Sequence, residues 1–403
     1  FWAVNFSRIG FRAGLMVPVL IWSFYFLWRG FTKTPEVGLR VFWWLNFVLG
    51  GILFGLGFYT YISYRFTPIL IAAFFIPYLI KRRAKNLWMG FVIFVVVAFV
   101  VALPIGLYFL NNPGDFFGRS GQVSIFSADN PLRAAALSIV TTLGMFNVIG
   151  DFNWRHNFSG SPQLFWPVGI LFLLGIYLSI KEFSFSEKFL LLWFFIFLLP
   201  NILTTESNPH ALRSLSAMPA AMIFAGIGLV WLYKKFQGYL DENLKNQKFT
   251  KFQVQLLRIK KEIFWLLIVF LIFIAGSEFN KYFNLWAFNP NVAGAFSQSQ
   301  FRIADYLNNL PKETEKYAIW DASDRATDNG LPVSAQTVYF LTTEKTKINY
   351  LKSDELNKIK LGENGTVTAP LYFDLDLLHN LNKQFPQSRI NFIYINTAVV
   401  EVP

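Results

Sequence analysis

Four short stretches carry the residue types that could do chemistry. ESNPHALR (206–213) places Glu206, His210 and Arg213 between two long apolar runs, FLLLWFFIFLLPNIL (189–203) and LSAMPAAMIFAGIGLVWLY (215–233). GDFNWRHNFSGSP (150–162) combines Asp151, Arg155 and His156 with turn formers, and YTYISYRF (59–66) combines Tyr59, Tyr61 and Arg65. SRIGFR (7–12) puts Arg8 and Arg12 on one helical face. Arginine forks bidentately onto phosphate and carboxylate oxygens, where lysine offers only a point charge. A pocket built from Arg65, Arg155, His156, His210 and Arg213, lined by Tyr59, Tyr61 and Glu206, would hold a phosphate and stabilise it as a leaving group. His210 and Arg213 are expected to share a face at the start of a helix whose free N–H groups also favour an anion. A plainer reading stands beside each stretch: an aromatic belt with one solvated arginine at 59–66, a polar loop with a capping aspartate at 150–162, and interfacial anchoring at 7–12 and 206–213.

The elements that must position these residues are membrane spans. The chain has 403 residues, 54% hydrophobic and 19% aromatic with only 15% charged, which excludes a soluble globular protein. Apolar runs long enough to cross a bilayer recur along the first 280 positions. They predict a polytopic α-helical membrane protein with about eight spans, near 13–28, 41–59, 64–80, 87–110, 164–180, 188–204, 213–233 and 263–280. One set of links holds Arg29, Lys33, Arg40, Lys81, Arg82, Arg83, Lys85, Lys181 and the lysine-rich 234–261. The alternate links hold Arg8, Arg12, Arg65, Arg119, Arg133, Arg155 and Arg213 and no lysine. The positive-inside rule makes the first set cytoplasmic and the second set outer. Because the charge of +12 sorts by membrane side, nucleic acid is excluded as a partner.

The segment 111–163 begins and ends outside by this parity. Its stretch NPLRAAALSIVTTLGMFNV (130–148) is expected to be a helix lying in the outer interface, capped by Asn130 with Pro131 in its first turn. Residues 234–262 are expected to form a cytoplasmic link, an amphipathic hairpin or helix. From 285 to 403 an amphipathic helix, FSQSQFRIADYLNNLP, and short β-rich runs such as KYAIWDAS predict a small α/β domain, placed outside by the count of crossings. The transmembrane domain then spans 1–284. The absence of cysteine excludes disulfides and thiolate metal sites. No Walker loop, GxSxG or HExxH occurs. The three histidines are far apart in sequence, so no metal site is expected, and no other cofactor is implied. Asn5, Asn157 and Asn364 fall in glycosylation sequons that also arise by chance. The central halves of the spans hold almost no ionisable residue, which argues against an ion-coupled transporter.

FSRIGFRA, GLGFYTYISYRFTP, GDFNWRHNFSGSPQLFWPVGILFLLGI and LLPNILTTESNPHALRSLSAMPA resemble the membrane glycosyltransferases of the GT-C class. The resemblance is to the branch related to family 39, the dolichyl-phosphate-mannose–protein mannosyltransferase and aminoarabinose-transferase-like proteins, and it runs over roughly residues 1–280. It implies a bacterial plasma-membrane enzyme of the cell envelope. The enzyme would transfer a hexose or pentose from a polyprenyl-phosphate donor to a lipid, glycan or protein acceptor on the outer side. It also implies that Arg65, Arg155, His156, His210 and Arg213 lie near the donor phosphate. The family's general base is an acid in the first outer loop, which is expected upstream of residue 1, since the chain opens on FWAVNFSRIGFR as a fragment would. The 285–403 domain resembles the outer domain of some relatives, and its WDASDRATDNGLPVSAQT stretch is expected to bind acceptor, cover the site or form a surface loop. The alternatives are a lipid-linked glycan carrier or flippase, which needs a hydrophilic path that charge-free spans do not offer, and a non-catalytic envelope scaffold.

Overall fold

Each apolar run of the first 280 residues becomes a helix because, in hydrocarbon, every backbone N–H and C=O must be satisfied within its own segment. The computed structural model describes residues 1–33, 40–245, 251–327 and 329–403. The chain divides into two compact units, Phe1–Ala287 and Phe288–Pro403.

The first unit opens with α1 (Trp2–Arg8), α2 (Met16–Thr32), α3 (Arg40–Gly57), α4 (Thr67–Arg82) and α5 (Lys85–Asn111). Two shorter helices follow, α6 (Pro113–Gln122) and α7 (Pro131–Gly144). Then come α8 (Trp166–Glu182), α9 (Phe185–Ile196), the single turn α10 (Leu199–Ile202), α11 (Met218–Lys245) and α12 (Lys251–Phe279), which continues as a π-helix over Asn280–Trp286. Each of the eight expected spans coincides with one of these helices. Among the described residues six are long and apolar enough to cross a membrane; α8 has 17 residues and the apolar stretch 43–57 of α3 is shorter. The protein is a polytopic α-helical membrane protein. Asn130 caps α7 as expected, its side chain accepting the Arg133 N–H at 3.0 Å, with Pro131 in the first turn.

The 234–262 link is helical wherever it is described. α11 runs on to Lys245 and α12 starts at Lys251, so most of that stretch is a continuation of two spanning helices. Lysine, glutamine and leucine are good helix formers, and nothing in 234–245 interrupts the backbone ladder. Residues 246–250 lie outside the described residues.

Two-residue links reverse the chain between α4 and α5, through Arg83 (φ 51°), and between α8 and α9, through Phe183 (φ 44°); α8 packs on α9, whereas α5 packs on α3 and α4 on α9. α8 and α11 pack backbone to backbone over small residues. A Cβ on Gly175 would lie 1.8 Å from the Phe224 carbonyl oxygen, and one on Gly228 would lie 2.2 Å from that of Leu171. Helices that gain little from burial in lipid adhere by such close contact. Elsewhere the core is aromatic, with Phe24 edge-on to Trp193 at 4.9 Å and Phe74 against Phe185 at 4.6 Å.

The second unit is an α/β domain of three layers. It contains α13 (Pro290–Ala295), α14 (Gln298–Asn309), α15 (Val333–Thr342) and α16 (Leu375–Gln384). Its strands are β1 (Glu315–Trp320), β2 (Asn349–Lys352), β3 (Thr366–Pro370), β4 (Arg389–Tyr394) and β5 (Thr397–Val402). The sheet order is β2-β1-β3-β5-β4, with β2, β1 and β3 parallel and β5 antiparallel to both β3 and β4. Alternation along β1 feeds both faces. Ala318 and Trp320 pack under α14 and α15, while Tyr317 and Ile319 pack under α16. SAQTVYFLT, β-rich in composition, lies within α15, because a parallel β1–β2 pair needs a crossover and this segment supplies it.

The α8–α11 contact generates a first prediction. Gly175→Ala is expected to destabilise the protein by about 1–3 kcal/mol through overpacking, seen as a lower thermal midpoint in detergent. Gly238→Ala, in open space on α11, is expected not to lower it. Equal behaviour of the two variants would show that the close approach is not what holds these helices.

Candidate functional site

The links 9–15, 58–66, 112–165 and 197–217 all lie at one end of the alternating helices, and hydrogen bonds knit them together. Ile125 donates its N–H to Leu203 O and Thr205 donates to Val123 O, both at 3.0 Å. Ser63 and Ser216 hydroxyls both reach the Met16 sulfur, at 3.3 and 3.1 Å. The Ser and Thr residues of α7 face inward: Ser138 donates to Asn201 O, and Asn201 Nδ2 donates to Thr142 Oγ1 at 2.9 Å. Tyr64 lies over Gly57, where a Cβ would fall 1.9 Å from its ring, so glycine lets the 3-10 turn Ile62–Phe66 close on α3.

The loop 150–162 is locked by its own backbone. Gly150 N–H donates to Gly160 O, and Gly160 N–H donates to Asp151 O. Asn153 accepts the Arg155 N–H at its side chain, and its carbonyl accepts from His156 and Asn157. This geometry buries Asp151 at 1% exposure. A buried carboxylate must be paired or hydrogen-bonded, and Asp151 is both. Its Oδ1 accepts the Asn153 N–H at 2.8 Å. Its Oδ2 accepts from His156 Nδ1 at 3.0 Å and from the Ala211 N–H at 2.8 Å. His210 Nδ1 lies 3.9 Å from the same oxygen, and the two imidazole rings are 4.7 Å apart. Phe6 and Phe11 wall the other side of His156, at 5.7 and 6.2 Å between ring centres. Asn5 adds a bond from its Nδ2 to Arg155 O at 2.8 Å. Asp151 therefore ties together 150–162 and 206–213, and the 1–11 segment packs onto the same cluster.

The ligand atoms of Asp151, His156 and His210 lie within 4.8 Å of one another. One carboxylate and two imidazoles form a donor set that fits a zinc-like divalent ion, at the expense of the His156–Asp151 hydrogen bond. Two histidines far apart along the chain meet here because their loops share one carboxylate.

Arg213 is 8% exposed. Its Nη1 donates to Thr204 Oγ1 at 2.8 Å and to Glu206 O, and its Nη2 meets Glu206 Oε2 at 3.2 Å. His210 and Arg213 do not share a helix face. Both precede the helix, which starts as a 3-10 turn at Leu215, and the intervening turn sends His210 to Asp151 and Arg213 back to Glu206. Arg65 lies in the 3-10 turn that packs against α10. Its Nη1 donates to Phe116 O at 2.8 Å and its guanidinium sits 3.8 Å over the Phe116 ring. Arg155 is exposed, and its carbonyl is the group that joins the network. Tyr59 turns to the Val101 carbonyl at 2.9 Å, away from the cluster, and Tyr61 is half-buried against the bundle core. Sequence reading passed over Thr204, Asn201 and the aromatic wall of Phe6 and Phe11; only the polar end of the LLPNILTT run signals the first two. Asn5 and Asn157 of the sequons are buried in this layer.

Asp151→Asn keeps the shape but turns an amide donor toward donors. It is expected to cost about 2–4 kcal/mol, read as a lower unfolding midpoint together with faster proteolysis at 150–163. An unchanged midpoint would mean that the loops are held by something else.

No family model matches the chain and no curated protein matches it. Among solved structures it is similar to ArnT from Cupriavidus metallidurans bound to undecaprenyl phosphate, at TM-score 0.45 and 15% identity, covering 97% of this chain and 74% of that one. It is similar to the same protein in the apo state at TM-score 0.43 and 15% identity, covering 97% and 73%. It is also similar to the oligosaccharyltransferase AglB from Archaeoglobus fulgidus in complex with an inhibitory peptide and a dolichol-phosphate, at TM-score 0.39 and 14% identity, covering 89% and 51%. At such identities and TM-scores the likeness reaches no individual residue of the site.

Proposed function

We propose that the chain transfers a sugar from a polyprenyl-phosphate donor to an acceptor hydroxyl on the outer side of the membrane. The observation that carries this reading is Arg213: a guanidinium almost removed from water, on a loop fixed by Asp151, at the end of a helix bundle. Such a group favours an anion strongly, because its interaction with one is little screened. Its present anion, Glu206, has a side chain 45% exposed, so a lipid phosphate can take its place while the lipid tail stays in the bilayer. Arg65, held in the same layer of loops, adds a second cation. The lysine-free links on this side support the outer placement.

In the reaction the acceptor oxygen attacks the anomeric carbon and the bond from that carbon to the phosphate oxygen breaks. The lipid phosphate leaves with both electrons of that bond, its charge held by Arg213 and Arg65. The hydroxyl proton passes to a general base outside the Asp151 cluster. Asp151, His156 and His210 position the Arg213 loop.

Undecaprenyl phosphate and synthetic undecaprenyl-phosphate-linked pentoses and hexoses, presented to the reconstituted protein, test this. Wild type is expected to retain the lipid phosphate and consume at least one donor. Arg213→Ala is expected to insert normally but to consume donor about 10²–10³-fold more slowly. Glu206→Gln, lacking the competing carboxylate, is expected to bind undecaprenyl phosphate more tightly than wild type. Wild-type turnover in Arg213→Ala would remove that residue from the site, and a wild-type protein that ignores the lipid phosphate would favour the scaffold alternative.

A further inference from the structure

The opposite end of the helix bundle holds a cavity of about 1330 Å³. It opens among the C-terminal ends of α2 and α4, the N-terminal ends of α3 and α5, and the α8–α9 link. Its walls are mostly apolar and aromatic, and include the touching rings of Phe74 and Phe185, 4.6 Å apart. Four cations line it, Lys33, Lys81, Arg82 and Lys188, and no acidic side chain does so among the described residues. Arg82 lies 5.6 Å from the centre of the Tyr78 ring and Lys188 lies 4.7 Å from that of Phe183. Both rings line the same cavity, so each charge is kept beside its apolar wall.

We propose that this cavity is a binding site for an anionic phospholipid of the leaflet at this end. The volume exceeds that of a pocket for a small soluble ligand and suits a glycerol backbone with the first methylenes of its acyl chains. The apolar wall takes the chains and the four cations take the phosphate. A zwitterionic lipid would bring an amine that finds no carboxylate among the described lining residues. A free phosphate would gain nothing from the aromatic wall. The charge asymmetry of the links makes this the cytoplasmic leaflet, where anionic lipids meet basic clusters between helices. A second cavity, between α8 and α11, carries Lys181 and Lys234 but also Glu182, and it serves as the control.

The test is native mass spectrometry of the delipidated protein titrated with phosphatidylglycerol or phosphatidylcholine. Wild type is expected to bind a single phosphatidylglycerol tightly and phosphatidylcholine at least about tenfold more weakly. Each cation removed is expected to weaken binding about fivefold, so Arg82→Gln/Lys188→Gln falls about 25-fold. Ala73→Trp narrows the cavity without touching a charge and is expected to weaken phosphatidylglycerol binding at least about tenfold. Lys181→Gln/Lys234→Gln is expected to bind as wild type does. Equal affinity for the two lipids, loss of binding in the control pair, wild-type affinity in Ala73→Trp, or displacement by glycerol phosphate at matched concentration would each overturn the proposal.

Discussion

A carboxylate stripped of water at the end of a helix bundle must find donors, and that requirement organises this protein's polar layer. Asp151 finds three, the Asn153 and Ala211 N–H groups and the His156 ring. They come from two loops that the helices α8 and α9 separate in the chain. Unpaired, the charge would cost several kcal/mol, so the two loops are bound to close together. Everything that gives the site a shape follows from that closure: the imidazole pair, the aromatic wall behind it, and the turn that carries Arg213 back to Glu206.

The bundle supplies the rigidity that lets such closure be specific. Helices packed through Gly175 and Gly228 come close enough that their carbonyls exclude even a methyl group. Short links at Arg83 and Phe183 leave little freedom at the far end. The polar layer is therefore held by helices that cannot slide, and the side chains of α7 that make it a poor span, Ser138 and Thr142, are the ones that bind the 201–208 segment.

The two ends of the bundle handle anions in different ways. At the Asp151 end Arg213 is nearly buried and Arg65 is stacked on a ring, each with defined acceptors. At the other end the cations are mostly lysines, exposed around an apolar cavity. A guanidinium with fixed partners can discriminate one phosphate geometry, whereas flexible ammonium groups suit a headgroup whose position varies.

Class, the apolar runs that become helices and the presence of a C-terminal α/β unit were all legible in the chain, because each depends on runs and periodicities local to a segment. The cap of α7 was legible for the same reason. The partition of charge was legible because it needs only the order of the links. The site was legible only as a roster of residue types. His210 and Arg213 looked like helix-face neighbours, and a local turn separates them. Tyr59 looked like lining, and the Val101 carbonyl claims it. The two histidines looked too far apart to matter to each other, and one buried carboxylate joins them. Which polar groups meet is settled by the desolvation of Asp151 and by the packing that positions its loops, and both exist only once the helices have assembled.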